Sequence, residues 1–127
     1  MKANELMVGD WYYWEAEDKK YPMQVTKDTF TLSNEDISNF QPIPLAPEIL
    51  EKNGFERDEF IPQEDYYTGI DNRVIVHNNK KYMNSVNEWH VHIDSEDYCS
   101  IANCELTYLH ELQHLLKLVK IDFEFNV

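Results

Sequence analysis

Hydrophobic and polar positions alternate most cleanly over residues 88–94. Trp89, Val91 and Ile93 fall on one side of an extended chain, and Glu88, His90, His92 and Asp94 on the other. That pattern predicts a half-buried strand with one polar face. A longer period follows. Tyr108, Leu109, Leu112, Leu115, Leu116 and Val119 form an apolar stripe that predicts a helix from about Glu105 to Val119. Ile121, Phe123 and Phe125 then alternate with Asp122, Glu124 and Asn126, predicting a last edge strand.

Earlier in the chain the elements are shorter. Gly9-Asp10 marks a turn before the aromatic run Trp11-Tyr12-Tyr13-Trp14, and Glu15 to Lys20 reads as a polar turn. Met23 to Thr26 and Thr29 to Leu32 are expected as a strand pair. Pro42 and Pro44 hold Gln41 to Leu45 extended, and a short helix starts with Pro47 and stops at Gly54. Arg73 to His77 and Lys80 to Met83 flank Asn78-Asn79, a two-residue hairpin signal. Residues 95–104 are expected as a loop. The fold class is therefore α+β: a small antiparallel N-terminal sheet of SH3-like character, a short helix, a β-meander and a C-terminal helix. One compact domain over 1–127 is expected, with sub-parts 1–42 and 43–127.

Charge changes the functional picture more than the fold. Twenty-four acids oppose eleven bases, a net charge of −13. Such a surface repels phosphate backbones and anionic membranes; solubility is the plain reading of the charge, and an acidic face for a protein with a basic surface is the sharper one. Between Lys81 and Lys117 there is no Lys or Arg, while Glu88, Asp94, Glu96, Asp97, Glu105 and Glu111 lie there. No apolar run approaches the length of a membrane span, and Met1 to Glu5 lack a signal-peptide core. A cytoplasmic setting is expected. Two cysteines do not make a disulfide framework.

His110-Glu111-Leu112-Gln113-His114 matches the H-E-x-x-H pattern, in which two imidazoles four apart on a helix hold zinc and the glutamate serves as general base. Only thirteen residues follow His114, which leaves little chain for a third ligand. A structural zinc site from Cys99, Cys104, His110 and His114 is the alternative metal reading, and His90-Val91-His92 is a further imidazole pair. The expectation is a chain without cofactor and without catalytic residues, with zinc as the alternative. Trp11, Tyr13, Trp14, Glu96 and Asp97 are the candidate partner-binding residues. A small-molecule or nucleotide site would need bases such as Arg57, Arg73 or Lys80.

Three segments carry a resemblance: Ala3 to Trp11 (ANELMVGDW), Ile43 to Phe55 (IPLAPEILEKNGF) and Tyr108 to Leu115 (YLHELQHL). In this order the chain resembles a family of uncharacterised proteins of Bacteroidetes bacteria and their phages. The resemblance covers nearly the whole chain and implies a mobile-element setting rather than an activity. In that family the last segment reads tyrosine, aliphatic, histidine, any residue, leucine, glutamine, often without the glutamate and second histidine. It therefore implies packing chemistry there, with Glu111 and His114 as local variation, and no site residues follow from it.

Overall fold

A computed structural model of the chain describes residues 6–33, 36–37, 39–59, 65–78 and 89–127. Its class is α+β. Strands β1 (Trp11–Ala16), β2 (Lys19–Gln24) and β3 (Phe40–Pro42) form an antiparallel sheet in the order β2-β1-β3. Strands β4 (Glu56–Arg57), β5 (Asp65–Gly69), β6 (Val74–Asn78), β7 (Trp89–Asp94) and β8 (Ser100–Leu106) form a second antiparallel sheet in chain order. The helices are α1 (Pro47–Lys52) and α2 (Leu109–Leu118), with a 3-10 turn at Lys27–Thr31.

The meander follows the alternation. Trp89, Val91 and Ile93 of β7 are buried, and His90 and His92 lie half-exposed on the other face. Val74 and Val76 of β6 sit beside them, opposite Ile93 and Val91. Helix α2 closes this face with Leu109, Leu112 and Leu116, all enclosed. Helix α1 begins at Pro47, where a missing N–H costs nothing, and ends through Gly54 at φ +85°, so that the Phe55 amide reaches the Leu50 carbonyl. Phe55 then lies over Gly69, where an added Cβ would stand 2.6 Å from its ring.

The aromatic run has a simple cause. Strand β1 is sandwiched: Trp11 and Tyr13 pack toward the large core, while Tyr12 and Trp14 pack toward a second, small core. That core holds Leu6, Tyr12, Val25, Ile37 and Phe40, with the Tyr12 and Phe40 rings stacked at 4.0 Å. A strand covered on both faces has no polar side to alternate with.

Several local expectations change. Lys19 to Gln24 is β2, because Glu17 and Asp18 alone, both at positive φ, make the turn. Thr29 to Thr31 belong to the 3-10 turn rather than a strand. Residues 100–104 are part of β8 rather than a loop, since β7 supplies a full antiparallel partner. Helix α2 starts four residues later than Glu105, at Leu109, because the chain is still strand to Leu106. Residues 121–125 bury Ile121 and Phe125 as the alternation requires, without pairing as a strand. The Asn78-Asn79 turn and Lys80–Met83 lie, beyond Asn78, outside the described residues.

Candidate functional site

The H-E-x-x-H segment opens α2, and each of its side chains is already engaged. Glu111 Oε1 accepts the amides of Thr107 and Tyr108 at 3.1 and 2.9 Å, as the acid of a capping box does. Its carboxylate thus satisfies the helix N-terminus. His110 is buried, its ring stacked on Tyr108 at 5.9 Å. Gln113 accepts the Trp11 amide through Oε1 and donates through Nε2 to the Gly9 carbonyl. His114 Nε2 donates to Asp10 Oδ2 at 2.6 Å.

These contacts form a clamp. One turn further on, Lys117 Nζ donates to the Val8 carbonyl at 2.8 Å, and the Trp11 indole donates to the Phe125 carbonyl at 2.7 Å. Asp10 is 0 % exposed; its Oδ2 also takes the Met7 amide, while Oδ1 has no hydrogen-bond partner among the described residues. Burying a carboxylate is costly unless it is paired, and here the pair joins the turn before β1 to α2. Gln113 and His114 of the motif are thereby read as the fastening between α2 and the turn before β1.

The thiols do not join it. Cys104 lies on β8 opposite Val91, and Cys99 is exposed in the turn before it. Burial, and next the nearby Glu111 carboxylate, push the Cys104 thiol above its ordinary value, so it stays protonated at neutral pH. His92 Nε2 donates to Asp94 Oδ1 at 2.8 Å, and His90 faces Glu105 at 3.5 Å while stacking on His77. Among the described residues no group of three or more His, Cys, Asp and Glu side chains is placed to hold a metal ion. Arg57 pairs with Asp65 at 3.6 Å and Arg73 Nε donates to the Asp94 carbonyl. Lys80 lies outside the described residues.

The partner-binding candidates divide. Trp11 is held inside by its two hydrogen bonds. Glu96 and Asp97 stand exposed at the β7–β8 turn beside Tyr98. Tyr13 lines a groove of about 630 Å³ with Lys20, Pro42, Pro44, Ile49 and Tyr108. Trp14 lines a second groove, of about 450 Å³, on the opposite face of β1 with Tyr12, Tyr21, Met23, Asp28 and Leu32. Tyr21, Met23 and Leu32 leave large apolar area in solvent there, as does nearby Phe30. Sequence reasoning missed Tyr21, Met23 and Leu32. Their signal was weak, because β2 reads K-K-Y-P-M-Q and its exposed apolar residues fall in an otherwise polar strand.

Comparison with family models, with curated proteins and with solved structures gives no match to this chain. No helix among the described residues is long and apolar enough to cross a membrane.

Proposed function

We propose that this chain is a non-enzymatic interaction module that holds an apolar, basic segment of another protein in the Trp14 groove. The observation that carries the reading is the exposed apolar lining from Tyr21, Met23 and Leu32 beside half-buried Trp14. Apolar patches rimmed by polar residues mark interaction sites on soluble domains. The partner's chemistry follows from charge: Asp28 is the acidic residue of that lining, and the whole chain carries −13. Lysine or arginine flanking two apolar anchors complements both features. The engagement of Glu111 as a helix cap supports a non-enzymatic reading. The setting we favour is cytoplasmic and of the mobile-element kind that the sequence resembles.

The test uses synthetic peptides that place Leu or Phe among Lys and Arg, with acidic versions as controls, followed by tryptophan fluorescence and NMR. Basic peptides should perturb Trp14, Tyr21 and Met23, and Trp14→Ala should weaken binding tenfold or more, the loss of about 1.4 kcal/mol. Binding should weaken as salt rises, since exposed charges are screened over about 8 Å at physiological ionic strength. Peptide binding untouched by Trp14→Ala and Tyr21→Ala would sink the groove. Tight salt-dependent binding of duplex nucleic acid would sink the charge argument. Zinc near one per chain, lost on Cys99→Ser or Cys104→Ser, would favour the zinc protein instead.

A further inference from the structure

Each sheet edge among the described residues differs in how open it is to another strand. Strand β2 carries Lys19, Lys20 and Pro22, the residues that keep an edge from pairing. Strand β3 has three residues, one of them Pro42, and β4 has two. Strand β8 has seven residues, no proline and no lysine. Among the described residues its backbone pairs with β7 alone. A bulge at Ile101, between the pairs Ile93–Ala102 and Asp94–Ser100, bends its start and leaves Ala102 to Leu106 as a regular open edge.

We infer that this edge is a self-association site, at which β8 pairs antiparallel with β8 of a second copy about a two-fold axis at Cys104. The register follows from the side chains. Opposite residues in an antiparallel pair share a face, so the axis must pass through a residue rather than between two. An axis at Glu105 would set two carboxylates against each other, and an axis at Asn103 would draw the bulged Ile101 into the ladder. At Cys104 the pairs are Asn103 with Glu105 on the outer face and Ala102 with Leu106 on the inner one, so an amide meets a carboxylate and a small residue meets a large one. Five residues a side form a small interface, well below the standard of about 1,200–2,000 Å², so the dimer is weak. Two chains of −13 also repel, which makes this association strengthen with salt. That sign is opposite to the one expected for a basic partner in the Trp14 groove.

Sedimentation velocity on the whole chain, reduced, up to about 1 mM, where interfaces below standard size still associate, tests this. A monomer–dimer equilibrium that tightens with added salt is the expected result. Asn103→Lys, placed against Glu105 of the second copy, should tighten it severalfold, and Asn103→Glu should loosen it tenfold or more. Asn103 is exposed, so both variants keep the fold, which circular dichroism checks. A chain monomeric throughout, a dimer indifferent to both changes, or one loosened by both would overturn the assignment. A dimer broken instead by Trp14→Ala or Tyr21→Ala would place it on the other sheet.

Discussion

In the five-stranded sheet Val74, Val76, Val91 and Ile93 are fully enclosed beneath α2, and Trp89 anchors one end through its indole bond to the Leu45 carbonyl. The three-stranded sheet encloses far less. Tyr12, Val25 and Phe40, with Leu6 and Ile37, make its core, and β2 is exposed along its whole length. Three strands with one hydrophobic face are about the least that stands alone in water. This sheet persists because β1 lends its other face to the large core and because Asp10, Gln113, His114 and Lys117 tie its entry to α2. One sheet is thus held by a large core, and the other by a thin core, a strand shared with the large one and directed polar bonds. The exposed apolar surface of the second sheet is what lines the groove of the proposed binding site.

The comparison can be broken from the packed side first. Trp89→Ala should cost about 3–5 kcal/mol and lower the melting temperature of the whole chain, read by calorimetry. Asp10→Ala leaves the Met7 amide and His114 without their partner. It should cost about 2–3 kcal/mol, and hydrogen exchange should then accelerate in β1 and β2 far more than in β6 and β7. Equal acceleration in both sheets would show that they do not differ in the way described. Gly69→Ala drives a methyl into the Phe55 ring and should cost about 1–3 kcal/mol by denaturant titration. Glu111→Ala should cost about 1 kcal/mol through the lost cap, and Glu111→Gln only a few tenths, because glutamine serves in the same box.

The smallest effect concerns pH. Burial pushes the Tyr67 phenol above its ordinary value of 10.0, helped by Glu51 beside it, and burial likewise raises Tyr12. Above about pH 10 the unfolded chain ionises while the folded chain does not, so the unfolded state binds fewer protons and stability falls as pH rises. Stability from these phenols is therefore full below that pH, and alkaline melts should lose it progressively. Tyr67→Phe should flatten the fall.

Much of this was legible. The period of two over 88–94 and the period of 3.6 after it gave β7 and α2, because each buries one face against a single core. Pro47 and Gly54 marked α1 correctly because both act through local backbone preference. Most of β2, beyond Met23 and Gln24, and β8 were hidden for the same reason as each other: an edge strand needs no apolar alternation to pair, only a neighbour. At α2 the motif was visible while its use was not. Gln113 and His114 find their partners at a turn more than 100 residues away, which no local pattern encodes, while Glu111 caps the helix's own first turn behind Tyr108, where the usual box has Ser or Thr.

The clamp has a consequence for the order in which the chain can fold. Its bonds join residues 102 to 114 positions apart in the sequence. During synthesis the first strand emerges long before α2 and must wait for it. Closing a loop of that size is slow relative to forming a hairpin, so the aromatic strand docks in the last step. Substitutions at Asp10 or His114 should then speed unfolding while leaving the folding rate nearly unchanged. Until α2 arrives, Trp11 and Tyr13 are exposed, and the nascent chain offers its stickiest surface at its oldest end.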